Sequence, residues 1–176
     1  GASCTKTKGY VLTMKTLIIV YHSITGGSKS MAQAVAEGAT SEVATRTLLL
    51  HASEANADHV LQADGYVFIA PETLGSVAGL MKDFFDRTYY AALDQINGRP
   101  YTALVCAGSD GQGAVKQIQR IATGWRLTEM APPAIVCTHA QTKDEILAPQ
   151  TINPADLQRC RDLGAAFASG LAMGLF

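Results

Sequence analysis

A short apolar strand that runs straight into a loop of glycines and hydroxyls, and from there into a helix, is the feature that most constrains this chain. Residues 16–21 read Thr-Leu-Ile-Ile-Val-Tyr, rich in β-branched side chains and free of charge, as expected of a strand covered on both faces. The loop that follows is His22-Ser23-Ile24-Thr25-Gly26-Gly27-Ser28, after which Met31, Ala34, Val35 and Gly38 recur at helical spacing. The first N–H groups of a helix have no intrahelical partners, and together with the helix dipole they can converge on an anion. Ser23, Thr25 and Ser28 add hydroxyl donors to that cradle, so a phosphate would be held by neutral groups. Lys29, the nearby cation, reads as a solvated first-turn side chain.

The commonest phosphate loops are excluded by spacing. A Walker A loop needs Gly-Lys-Ser/Thr with a glycine five residues earlier, whereas this chain has Ser28-Lys29-Ser30 and places Ser23 where that glycine belongs. The Gly-x-Gly-x-x-Gly fingerprint of dinucleotide-binding folds is absent from the first loop. What remains is Ser-x-Thr-Gly-x-Ser.

The rest of the chain narrows the class. Its 176 residues suit one domain with a substantial core. Only 16% are charged, against roughly 25% in ordinary soluble domains, which fits an apolar binding surface or an oligomer contact. A net charge of -1 without a basic run argues against a nucleic-acid partner. Cys4, Cys106, Cys137 and Cys160 show neither CxxC nor metal-ligand spacing and read as free thiols of a reducing, cytoplasmic compartment. No apolar run reaches the ~20 residues of a membrane span. Residues 1–13 lack a signal-peptide core, and Met14-Lys15 stands directly before the first strand, so 1–13 read as an upstream extension and 14–176 as a single domain.

Strands and helices alternate. Further strands are expected at 43–50, at 65–70 up to Pro71, at 101–107 and at 134–138, with helices at 57–63, at 77–90, after 111 and near the C-terminus. Five strands with helices between them imply an α/β parallel sheet covered on both faces. Ligands of such sheets bind beyond the carboxyl ends of the strands. Three strand ends carry suitable loops: the first, the third with Pro71, Glu72, Thr73, Leu74, Gly75 and Ser76, and the fourth with Ala107, Gly108, Ser109, Asp110 and Gly111. The second runs into His51-Ala52-Ser53-Glu54, which has no glycine for close approach. The fifth leads into a long polar segment, 140–153, read as an oligomer contact or a cover for the site.

Taken together, the three loops resemble the flavodoxin-like superfamily, in particular its NADPH-dependent FMN reductase and Trp-repressor-binding-protein-type quinone oxidoreductase branches. The most specific matches are the phosphate loop and the pattern formed by Pro71, Gly75, Gly79, Lys82, Phe84, Asp86 and Arg87. The resemblance implies a three-layer sandwich with strand order 2-1-3-4-5 and non-covalent FMN. It puts the phosphate on Ser23, Thr25, Gly26, Gly27 and Ser28, and the ring between the loops at 71–76 and 107–111. Lys82, Asp86 and Arg87 would fix their helix rather than touch the ligand.

The function so implied is NAD(P)H-dependent reduction of a quinone or similar small acceptor, with hydride passing through flavin N5 and no catalytic side chain required. A homodimer or tetramer is expected, with neither membrane nor nucleic acid as partner. Two alternatives stand beside it: a flavodoxin-type electron carrier, and a flavin-free partner-binding domain. Leu74 and the small residues after Ala107 cannot sandwich a ring between aromatics, and the chain has Ala122-Thr123-Gly124-Trp125-Arg126 where the quinone-reductase branch often carries His-His-Gly. Trp125 reads as buried at a helix end, Tyr89 and Tyr90 as packing residues, His139 as a weak candidate for proton transfer, and Cys106 as a buried neighbour of the ligand.

Overall fold

The computed structural model describes residues 14–176, so the reading of 1–13, Cys4 included, falls outside it. The first unit forms as its pattern predicts: β1 (Lys15–Tyr21) leads through the loop into α1 (Gly27–Thr40). Then follow β2 (Thr45–His51), α2 (Ala57–Gln62), β3 (Gly65–Thr73), β4 (Ser76–Val77) and α3 (Gly79–Ala92). The remainder is β5 (Pro100–Ala107), α4 (Gln112–Gly124), β6 (Thr128–Glu129), β7 (Ala134–Cys137), α5 (Lys143–Leu147) and α6 (Pro154–Ala172).

The sheet runs β2-β1-β3-β5, and β5 then pairs with β6 near its start and with β7 near its end, all in parallel. With the two-residue strands β4 and β6 set aside, this is the expected order 2-1-3-4-5. Alternation along β1 divides the core: Ile18 and Val20 join the layer covered by α2, α3 and α4, whereas Leu17 and Ile19 join the layer covered by α1 and α6. Phe68 of β3 organises the first layer, with the rings of Phe84, Phe85, Tyr101 and Trp125 centred 5.1–6.4 Å away. Among the described residues no helix is long and apolar enough to cross a membrane, and no three His, Cys, Asp or Glu side chains are grouped to hold a metal ion.

Four expectations need correction. The sheet has seven strands rather than five. The third strand does not stop at Pro71 but continues to Thr73: Pro71 stays in register with Cys106 of β5, and its carbonyl accepts from Ala78 N. The following helix starts at Gly79, since Ser76 and Val77 turn back to pair with Thr73 and Glu72. The second strand begins at Thr45 rather than residue 43, where Val43 lies exposed.

Helix α1, which carries the first loop, is held by an unusually close crossing with α6. A Cβ at Gly164 would overlap the Val35 carbonyl, and one at Gly38 would overlap the Arg161 carbonyl. Gly164→Ala is therefore expected to cost about 1–3 kcal/mol of stability by overpacking. Gly79→Ala, where nothing lies within 4 Å of the added carbon, should leave stability unchanged or raise it. Denaturant titration of the two variants checks this, and equal stabilities would show that the crossing is not tight.

Candidate functional site

Beyond the carboxyl ends of β1, β3 and β5 lies a cleft of about 190 Å³. That is smaller than the roughly 300–1,000 Å³ of pockets enclosing a drug-sized ligand, so a larger planar ligand would leave part of itself in solvent. Of the expected residues, Thr25, Pro71, Glu72, Thr73, Ala107 and Gly108 line it. Ser23, Gly26, Gly27 and Ser28 form the turn into α1 beside it, whereas Leu74, Gly75, Ser76, Ser109, Asp110 and Gly111 lie outside its lining.

The turn into α1 is built to leave donors free. Gly26 is the N-cap, with φ 98°, a left-handed conformation that favours glycine, and no side chain caps the helix. Ser23 Oγ accepts from Gly26 N at 3.1 Å and so holds the turn, which leaves its own O–H free to donate. Among the described residues no protein group accepts from the N–H of Gly27, Ser28 or Lys29. Ser28 is buried, and its hydroxyl has no hydrogen-bond partner. A buried unpaired hydroxyl costs about 1–3 kcal/mol, and here it stands at the positive end of a helix dipole. A glycine is required at 27, where a Cβ would lie 2.9 Å from Cys106 Sγ and 3.3 Å from Ile152.

Opposite this turn the β3–β4 hairpin is anchored to α4. Glu72 Oε1 accepts from Gly111 N at 3.0 Å and Oε2 from Ala114 N at 3.2 Å, so its carboxylate caps α4 across the cleft. Gln117 Oε1 accepts from Val77 N at 2.7 Å on the other strand of the hairpin. Glu72 thus lines the cleft as an anchor rather than as a free ligand, and Gly111 has spent its N–H on that anchor. The hairpin closes through Leu74 and Gly75, with φ 52° and 73°, the two left-handed residues of a type I′ turn.

The long segment after β7 covers the cleft. Thr142 and Glu145 form a capping box at the start of α5, and the Glu145 carboxylate, accepting from Gln141 N and Thr142 N, is held below the usual range by those bonds. Gln150 N donates to Thr25 O at 2.9 Å, and Gln150 Nε2 donates to the carbonyls of Glu145 and Ala148. The segment is thereby tied to the first loop, and Ala140, Ile146, Leu147 and Gln150 join the cleft wall with Ile24, Cys106 and Thr138. Length and polarity marked the segment as a possible cover; which side chains it would contribute had no signal in the sequence.

The remaining candidates fall elsewhere. Burial, and then Cys137 nearby, pushes the Cys106 thiol up to about 11, so it stays protonated at neutral pH. His139, with φ 60°, is exposed and does not line the cleft. Trp125 is fully buried, donates to Tyr89 O at 2.9 Å and stacks on the Tyr89 ring. Lys82 pairs with Asp86 and Arg87 with Asp83 on the surface of α3, exposed pairs that contribute about 0.3–0.5 kcal/mol each. Arg87 does more through the carbonyls of Ala52 and Ala55, which tie the loop after β2 to α3. At that loop His22 Nδ1 lies 3.3 Å from His51 Nε2, and His51 Nδ1 accepts from Ser53 N. His51 Nδ1 also lies 2.7 Å from Ser53 Oγ, so the His22–His51 contact is held in place by the loop after β2.

The fold and the three loops define a flavodoxin-like protein. An archaeal flavodoxin structure superposes with a TM-score of 0.71 at 20% identity over 89% of this chain and 98% of that one. A flavodoxin, WrbA-like protein from Agrobacterium tumefaciens gives 0.64 at 20% identity over 91% and 98%. Residues 52–142 match the NADPH-dependent FMN reductase family, and the chain belongs to that family of oxidoreductases. The match spans the second and third loops; the reading of the first rests on its geometry. A flavodoxin from Aquifex aeolicus is 37% identical over 100 residues, 57% of this chain and 54% of that protein. An NAD(P)H dehydrogenase (quinone) from Acidithiobacillus ferrooxidans is 33% identical over 95 residues, 43% and 48% of the two chains. The chain thus aligns with about half the length of these curated relatives. FMN, which the family name specifies, fits the cradle: a buried unpaired hydroxyl and free helix N–H groups are a donor set for a phosphate.

Burial, and next His51, hold His22 below the ordinary histidine value of about 6.5. Between that value and the lower folded one the unfolded chain binds more protons, so stability rises with pH and is lost as pH falls from about 6.5 through the folded pKa. His22→Asn is expected to flatten this acid-side loss in denaturant titrations at pH 7.5 and 5. An unchanged pH dependence would show that the pair is not held neutral.

Proposed function

We propose that this chain binds FMN in the cleft and passes electrons from NADPH or NADH to a quinone or similar small acceptor. The observation that carries the reading is the buried, unpartnered Ser28 hydroxyl at the uncapped start of α1, beside an apolar cleft. The N–H groups of Gly27, Ser28 and Lys29, with the hydroxyls of Ser28 and Thr25, hold the phosphate. Ser23 keeps Gly26 in its left-handed turn. Pro71 to Thr73 and Ala107 with Gly108 form the walls for the ring, and the Glu72 anchor keeps the two walls at a fixed spacing. FMN, when bound, supplies the redox chemistry through its N5 position. The chain orients it and limits water, and the Glu72 carboxylate is engaged by two N–H groups of α4 and its N-cap.

An electron carrier is the second reading, favoured by the 37% identity with the Aquifex aeolicus flavodoxin. One experiment separates the readings: load the chain with FMN, remove the excess and add NADPH or NADH without oxygen. Retained and then bleached flavin bands are expected. Bands retained but not bleached would favour the carrier, and no retained flavin would refute both in favour of a flavin-free partner-binding domain.

Ser28→Ala tests the cradle directly. Because its hydroxyl has no partner in the protein, the variant should be as stable as the parent, yet bind FMN roughly 10- to 100-fold more weakly, the loss of a hydrogen bond to a charged group. Riboflavin, which lacks the phosphate, should bind both equally. Unaltered FMN affinity in a fluorescence titration would place the phosphate elsewhere.

A further inference from the structure

Four large aliphatic side chains stand exposed around the mouth of the cleft. Ile24, Ile146 and Leu147 line it at 59, 49 and 61% exposure, and Leu74, next in the chain to the lining residue Thr73, is fully exposed at the hairpin tip. None of the four is explained by packing within the chain. Helix α5 buries no residue at all, yet a capping box and the Gln150 bonds hold it where Ile146 and Leu147 face the cleft. Leu74 is the more telling case. It occupies a left-handed position, φ 52°, that asparagine or glycine fills with less strain. A strained side chain that touches nothing in its own protein points to a contact with something else.

The electrostatics of the mouth narrow what that is. Among the described residues that line the cleft, Glu72 is the one with a charged side chain, and its carboxylate is engaged by two backbone N–H groups. A charged molecule entering between aliphatic side chains would give up water, with no lysine or arginine in that lining to receive an anion, and an anion would also meet the Glu72 carboxylate.

We infer that Ile24, Leu74, Ile146 and Leu147 form an apolar collar that selects an uncharged, planar electron acceptor over an anionic one. This rests on the proposed function and names the residues that would determine its acceptor. The collar positions and selects; it takes no part in electron transfer.

The test is equilibrium dialysis of the FMN-loaded chain against two quinones of similar shape, neutral 2-(hydroxymethyl)anthraquinone and anionic anthraquinone-2-sulfonate. The neutral one is expected to bind at least roughly tenfold more tightly, and Ile146→Ser/Leu147→Ser to bring the two within about threefold. Equal binding by the parent, or an undiminished preference in the double variant, would overturn the collar. Failure of both quinones to bind would overturn it too, in favour of a protein docking surface. Weakened FMN binding in the double variant would also overturn it, by making these side chains part of the flavin site. Leu74→Asn guards against a trivial loss of folding: it is expected to raise Tm by about 2–4 °C while lowering the preference for the neutral quinone, and a raised Tm with the preference intact would remove Leu74 from the collar. Because dialysis needs neither nicotinamide nor turnover, a holoprotein that NAD(P)H fails to bleach would remove the enzymatic reading without touching this one.

Discussion

The start of α1 has to be fixed in space while its N–H groups stay unused, and most of the structure near the site answers to that requirement. A side-chain cap, the usual way to fix a helix start, would consume the donors. Here the fixing is done from every other side. Ser23 holds Gly26 from below, Gly27 lies against Cys106 and Ile152, and the body of the helix is clamped to α6 where Gly38 and Gly164 let backbone approach backbone. The order of strands contributes as well. With β1 between β2 and β3, the loops after β1, β3 and β5 converge at one edge, and the connection through α1 lies on the opposite face from α3 and α4.

Charge in this region is handled by backbone. Glu72 and Glu145 would each place a carboxylate beside an apolar cleft, and each instead accepts two N–H bonds. Among the described residues no lysine or arginine forms an ion pair with either. A phosphate arriving at α1 would be met in the same manner, by oriented dipoles rather than by a cation, which holds an anion without adding a charge to the walls where a ring would lie. His22 fits this pattern: held below the ordinary histidine value by burial and by His51, it lies within hydrogen-bond distance of His51 Nε2 behind the loop.

What could be read in the sequence was whatever has a period or a short spacing. The apolar strands, the helix stripe of Met31, Ala34 and Val35, and the glycine and hydroxyl loops all announced themselves, because burial on both faces and a free helix start leave local marks. What could not be read depends on partners far along the chain. Pro71 looks like a stop until the β3–β4 hairpin shows that its carbonyl still has a use in Ala78 N. Glu72 reads as a site residue, and it lines the cleft; that Gly111 and Ala114, 39 and 42 residues away, donate to its carboxylate leaves no local mark. The aliphatic side chains of α5 sit in a polar stretch whose pattern assigns them to no core, and only the tie from Gln150 to Thr25 brings them to the cleft.

The anchor of the β3–β4 hairpin lies at its root. Glu72 and Val77 are bonded to α4 and its N-cap, whereas the turn residues Leu74 and Gly75 make none of those bonds. Mechanically, the Leu74 side chain is the separate part: Gly75 lies with its carbonyl against Gly113 of α4, whereas Leu74 is fully exposed and can be exchanged without moving α4 or the spacing of the cleft walls. Selectivity for a reaction partner and integrity of the fold can then drift independently, which is one physical way for a single architecture to be turned to many redox partners.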